Sequence, residues 1–188
     1  MHKYLPKYFS FINTFNKEHL KKLDRNIAII YRNYSNKYDK ILITKIRNFC
    51  KANNKRFYLA NNIKLAKQLN LDGVYLPSFN KSLNLNNLCV NKNFLKIGSA
   101  HSIREMRIKE KQGVKLIFIS SLFKNKKNKK NLGCIKFNNL ALETNLKIIA
   151  LGGINNKNII RLREIKPYGF AAISFFEKAQ KLNKYICK

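Results

Sequence analysis

Lys147-Ile148-Ile149-Ala150-Leu151-Gly152-Gly153 is an apolar run that ends in two glycines, and such a run can hold a phosphate. Its β-branched residues predict a short buried strand. The glycines lack the Cβ atoms that would keep a ligand oxygen away from backbone N–H groups. Asn155 or Asn156 is placed to cap a helix over Asn156–Glu164, whose N-terminal dipole would face the same point. A second strand, Phe170–Ile173, ends at Ser174 before another helix, so two strand-to-helix loops would converge on one anion. The alternative is a Gly-rich turn that only ends a strand. A different chemistry is offered by His101, one of three histidines beside His2 and His19. It follows Ser99-Ala100 at the end of an apolar segment, and imidazole titrates near neutrality, as proton transfer requires. Its alternative role is to cap the helix Ser102–Gln112. Ser99 reads either as a polar contact to substrate or as a strand-end hydroxyl bonded to backbone.

Elements that could bring these residues together alternate along the whole chain. The expected strands are Tyr8–Ile12, Ile27–Tyr31, Arg56–Leu59, Gly73–Leu76, Phe94–Ile97, Lys115–Ile119, Lys147–Leu151 and Phe170–Ile173. Helical spacing covers Lys17–Leu23, Asp39–Asn53, Ile63–Leu69, Ser102–Gln112, Leu132–Thr144, Asn156–Glu164 and Phe175–Lys184, with Ser82–Leu88 short and Asn-rich. Strict β/α alternation with nearly unalternating apolar strands implies a parallel sheet covered by helices. The expected fold class is α/β, a compact (β/α)8 TIM barrel formed by residues 1–188 as one domain. An open doubly wound sheet ranks second, because no Gly-x-Gly-x-x-Gly follows the first strand. In such a barrel the residues after each strand gather at one mouth, and phosphate often binds in the loops after the last two strands.

Composition narrows the setting. Lys and Arg number 39 against 9 Asp and Glu, a formal charge of +30, which by itself would point to nucleic acid. The lysines are spread over almost every expected helix and asparagine is abundant beside them, a pattern that A/T-rich coding also produces. The dense cluster Lys124–Lys130 carries no interleaved aromatics for base stacking and reads as a solvated or phosphate-facing loop, so no specific nucleic-acid partner is expected. Cys50, Cys89, Cys134 and Cys187 form no Cys-x-x-Cys pair, which argues against a zinc site or a disulfide framework and for a reducing, cytoplasmic setting. No apolar run reaches the roughly 18 residues of a membrane span.

The ordered segments Ala60-Asn61-Asn62-Ile63, Asp72-Gly73-Val74-Tyr75-Leu76, Gly98-Ser99-Ala100-His101-Ser102, Ser121-Leu122-Phe123, Ala150-Leu151-Gly152-Gly153-Ile154 and Ala172-Ile173-Ser174 resemble the motifs of the thiamine phosphate synthase and thiazole tautomerase (TenI-like) superfamily. The resemblance runs from about Ile27 to Phe176. It implies a thiamine-biosynthesis barrel that binds a thiazole phosphate at the loops after strands 7 and 8, with Arg32, Asn61, Ser99, Gly152, Gly153, Ile173 and Ser174 as its substrate- and phosphate-binding residues. In the tautomerase branch it implies a catalytic His101 that shuttles a proton on the thiazole ring. In the synthase branch it implies a transferase joining the thiazole to a pyrimidine pyrophosphate with magnesium.

Departures from the family pattern bear on that choice. Where the synthase places Gln, Arg and Lys after its second strand, this chain has Ile30, Arg32 and Tyr34, so only the Arg remains to grip a pyrophosphate. The synthase's magnesium aspartates correspond to Asn61 and Asn80, and neutral amides are poor substitutes for hard anionic oxygens. The Thr-x-Ser/Thr-Lys phosphate motif reads Asn125-Lys126-Lys127-Asn128, and Tyr75 stands where the pattern usually has His. Three readings follow: a diverged synthase or tautomerase-like enzyme, a full synthase with a rearranged metal site, and a non-catalytic phosphate-ligand binder. No tightly bound cofactor is expected, with magnesium only in the synthase reading; oligomerisation stays open.

Overall fold

The eight apolar segments form eight short strands in the computed structural model, which describes residues 4–34, 38–84, 93–124 and 131–178. They are β1 (Tyr8–Ile12), β2 (Ile27–Tyr31), β3 (Phe57–Ala60), β4 (Gly73–Leu76), β5 (Leu95–Ala100), β6 (Leu116–Ile119), β7 (Lys147–Leu151) and β8 (Gly169–Ala172). Each strand pairs in parallel with the next, and β8 returns to β1 with Tyr8 opposite Phe170, which closes the barrel in sequence order. The expected (β/α)8 architecture is therefore the observed one.

Alternation within each strand divides the apolar residues into two layers. Phe9, Phe11, Ile30, Tyr58, Tyr75, Ile97, Phe118 and Ile149 fill the barrel, with Ala28, Ala60 and Ala171 giving the rings room. Phe11, Tyr75 and Phe118 meet edge to face, with centroids 5.2 Å apart for Phe11–Tyr75 and 5.5 Å for Tyr75–Phe118. Such pairs add about 0.5–1.5 kcal/mol each beyond the burial itself. The opposite faces, with Ile27, Ile29, Leu59, Ile117, Ile119 and Ala150, pack under the helices.

The helices are α1 (Lys17–Lys22), α2 (Lys40–Ala52), α3 (Ile63–Gln68), α4 (Ile103–Lys111), α5 (Gly133–Leu142), α6 (Leu162–Ile165) and α7 (Ser174–Lys178). Asparagine, aspartate and serine start the first four: Asn16, Asp39, Asn62 and Ser102 each accept a backbone N–H with the side chain. On α2 the buried residues Ile43, Ile46, Phe49 and Cys50 lie on one face, as helical periodicity requires.

Two expectations need correction. No helix begins at Asn156. Asn155 Oδ1 accepts from the N–H groups of Lys157 and Asn158, while Asn158 Oδ1 accepts from Asn155 N–H, and this local pairing holds residues 156–158 in a turn. A 3-10 turn (Ile159–Arg161) and the four-residue α6 follow, so no helix dipole faces the glycines from that side. Second, β5 continues past Ile97 to Ala100, which carries Ser99 inside the barrel wall. The end expected for the last helix, Lys184, and residues 85–88 of the Ser82–Leu88 segment lie outside the described residues, as does 125–130 of the lysine cluster.

Candidate active site at the barrel mouth

Every candidate residue lies at or just beyond the C-terminal end of a strand: Arg32 after β2, Asn61 after β3, Ser99 and His101 at the end of β5, Gly152 and Gly153 after β7, and Ile173 and Ser174 after β8. In a closed parallel barrel these ends share one mouth.

Arg32 continues the inward-facing set of β2, and its guanidinium sits 4.8 Å from the centroid of the Phe11 ring that floors the mouth. A cation over an aromatic face is held without a carboxylate partner. Tyr75 lies buried beside it; burial pushes its phenol pKa up, and the Ser99 hydroxyl and the Arg32 charge pull the other way. Tyr34 and Phe79 stand at the rim with ring centroids 5.2 Å apart. The Tyr34 phenol is raised by burial first and then by Tyr75, against Arg32.

On β3, the chain turns through Asn61 in the left-handed region at φ 59°, which asparagine tolerates better than most residues. Its N–H donates to the Tyr75 carbonyl at 2.8 Å. Its side-chain Oδ1 accepts from Asn80 Nδ2 at 2.6 Å, and Asn80 Oδ1 in turn accepts from Ser82 N–H at 3.1 Å. The two amides therefore touch, and both of their side-chain oxygens accept a hydrogen bond.

His101 is exposed at the mouth, and its Nδ1 lies 2.8 Å from the Ser120 carbonyl oxygen and 3.2 Å from Ser120 Oγ. A carbonyl only accepts, so Nδ1 carries a proton and the neutral ring keeps its lone pair on Nε2. The cap of α4 is Ser102, which accepts from Glu105 N–H, while the Glu105 carboxylate accepts the His101 N–H at 2.6 Å. His101 is thus free of the capping role that its position allowed. Glu105 and Ser120 were missed in the sequence. The Ser102-x-x-Glu105 capping pattern was a legible sign of the first; Ser120 lies 19 residues from His101 and had none.

Gly152 and Gly153 have φ of 100° and 70°, where a side chain is strained. A Cβ on Gly152 would collide with Ser121, and one on Gly153 with the carbonyl oxygens of Phe123 and Lys124. The segment after β6 lies directly on them, with Leu122 N–H donating to Leu151 O at 2.9 Å and Phe123 N–H to Gly152 O at 3.0 Å. Both glycines are therefore required by loop packing, whatever else they bind. Ile173, 45% exposed, opens onto the mouth, and Ser174 begins α7, which Phe175 and Phe176 anchor against Phe170.

A family model described as thiamine monophosphate synthase matches residues 19–176. The chain belongs to this family. A thiamine-phosphate synthase of Prochlorococcus marinus is 29% identical over 123 residues, 64% of this chain and 36% of that protein, so the chain aligns with about a third of that relative's length. An Aquifex aeolicus protein given the provisional name thiamine-phosphate synthase 2 is 28% identical over 171 residues, 89% of this chain and 90% of its own length. A thiamine phosphate pyrophosphorylase from Pyrococcus furiosus shares the fold with a TM-score of 0.75 at 18% identity, covering 96% of this chain and 91% of that one.

Magnesium serves the thiamine monophosphate synthase family, and the residues present here do not fit it. At Asn61 and Asn80, which the sequence resemblance aligns with the family's magnesium aspartates, an amide pair has its oxygens already engaged. Asp24 and Asp72 precede β2 and β4, at the end of the barrel away from the mouth, and Asp39 caps α2. Among the described residues, no group of three or more His, Cys, Asp or Glu could hold a metal ion, and no helix is long and apolar enough to cross a membrane.

Proposed function

We propose that this protein binds a thiazole phosphate at the barrel mouth and moves a proton on the thiazole ring through His101, as a tautomerase-like or diverged member of its family. The observation that carries the reading is the His101 Nδ1–Ser120 carbonyl bond of 2.8 Å. It orients the ring and leaves Nε2 as the basic nitrogen at the mouth, which can take a proton from one ring position and return it at another. Ser99, Ile173, Ser174 and the glycine loop are the groups that would receive the thiazole and its phosphate, and Arg32 adds a positive charge across the mouth.

The names of the relatives favour a second reading, the complete synthase joining the thiazole to a pyrimidine pyrophosphate. Against it stands the loss of both carboxylates from the metal position, since Coulomb attraction is what such sites supply to a divalent ion. Titration calorimetry with thiazole phosphate, followed by turnover assays with and without pyrimidine pyrophosphate, separates these readings. Absence of any binding heat would remove the first. Rapid condensation in the presence of magnesium would establish the second.

A further inference from the structure

We infer that α4 is the positioning helix of the site: Glu105 and Lys109 on one of its faces, with the C-cap residue Gln112 in line with them, fix His101 and Asn80 relative to each other across two neighbouring loops. This assignment rests on the reading of the mouth as a thiazole phosphate site.

The three residues fall at i, i+4 and i+7, which aligns them on a single helical face. Lys109 and Gln112 are both fully buried, although neither residue type is normally found there. The Lys109 ammonium spends all three of its donors: on Pro77 O at 2.7 Å, on Asn80 O at 2.7 Å and on Gln112 Oε1 at 3.0 Å. Gln112 Nε2 donates to Asn80 O at 3.0 Å and Ser82 O at 2.9 Å and lies 3.3 Å from Asn80 Oδ1. Every one of these bonds beyond the Lys–Gln pair ends on the segment 77–82 after β4, and that segment delivers Asn80 to Asn61. Glu105, one turn towards the mouth, holds the His101 N–H.

The barrel wall is shaped for this clamp. Gly98 faces outward on β5 where the Lys109 stem crosses the strand, and a Cβ there would stand 2.9 Å from Lys109 Cδ and 3.3 Å from Cγ. A glycine at that position gives the long side chain a passage from the helix to the next loop. Burial pushes the ammonium pKa down to about 8, with Glu105 opposing. A charge kept in such a place is satisfied only while the loop carbonyls stay where they are.

The test uses the full chain with Lys109→Met, Gln112→Glu and Gly98→Ala, read by hydrogen exchange of the peptide covering residues 77–84 and by calorimetric titration with thiazole phosphate. Gln112→Glu keeps an acceptor for Lys109 and similar volume while removing both donors into the loop, so it separates positioning from folding. The expected result is faster exchange in 77–84 with the barrel strands unchanged. Affinity should fall roughly 10- to 100-fold, the scale at which misplacement remote from the chemistry is felt. Unchanged loop exchange in folded Gln112→Glu and Gly98→Ala would overturn the clamp. So would loop exchange that accelerates while thiazole phosphate affinity stays at the wild-type value, because the helix would then order the loop without positioning the site. Should the wild-type chain not bind thiazole phosphate, the functional reading fails, and loop exchange alone decides whether α4 orders the segment.

Discussion

Asn80 donates its side-chain amide to the side-chain oxygen of Asn61 across 2.6 Å, joining the loops after β3 and β4. Two carboxylates at that separation would repel unless a cation or a proton lay between them. Two amides need neither, because one supplies the donor and the other the acceptor. At the positions that the sequence resemblance aligns with the family's magnesium aspartates, this pair rests on hydrogen bonding rather than charge.

Restoring the charge should restore the metal. In the double variant Asn61→Asp, Asn80→Asp, millimolar magnesium should raise the thermal midpoint while leaving the wild-type midpoint unmoved. A metal concentration ten times the dissociation constant corresponds to about 1.4 kcal/mol and a rise of roughly 3–6 °C. Equal magnesium response in both proteins, followed by calorimetry, would show that the amide pair is not the determinant.

Gly153→Ala should destabilise the fold before it affects any ligand. The left-handed φ of 70° and the collision with the Phe123 and Lys124 carbonyls act in the empty protein. The backbone penalty alone, about 1–2 kcal/mol, lowers the midpoint by roughly 2–8 °C. A variant with wild-type calorimetric stability and lost thiazole phosphate binding would instead make Gly153 a pure phosphate cradle.

Most of the barrel was legible because its signals are local. Apolar runs marked all eight strands, and β1, β2, β4 and β7 fall on the expected residues. The helix after β7 was misjudged because asparagines compete for their own backbone: Asn155 and Asn158 satisfy a turn where spacing alone predicted a helical start. Placement of Arg32, Asn61, His101 and the glycines after strand ends followed from topology. Their partners did not, since Ser120 for His101 and Phe123 for Gly153 come from other strand ends. Lys109 was least legible of all, because a lysine on an amphipathic helix reads as solvent-facing until its three acceptors are seen.

The same lysine predicts a pH effect with a definite sign. Its ammonium titrates at about 8 in the folded chain against an ordinary 10.5, so between these values the unfolded chain holds more protons. Stability attributable to Lys109 therefore rises as pH climbs through that window and is lost again as pH falls through about 8. The full shift corresponds to roughly 3–4 kcal/mol. Urea unfolding at neutral and alkaline pH should show wild-type gaining on Lys109→Met; a constant difference between them would contradict the assignment.

Ser120 acts on His101 mainly through its main-chain carbonyl, the shorter of the two contacts. Ser120→Ala should accordingly leave proton transfer on the thiazole within about threefold of wild type, a small hydrogen-bond loss. A collapse of turnover in this variant, by steady-state assay, would shift the role to the hydroxyl.

The most direct test of the account is turnover of thiazole phosphate by the wild-type chain and by His101→Ala, each with EDTA and with magnesium, in the presence and absence of pyrimidine pyrophosphate. Proton transfer on the thiazole should survive EDTA and fall by roughly 100-fold or more in His101→Ala, the usual contribution of a general acid or base, while formation of thiamine phosphate stays slow under every condition. Vigorous magnesium-dependent synthesis of thiamine phosphate that is indifferent to the His101 change would contradict it.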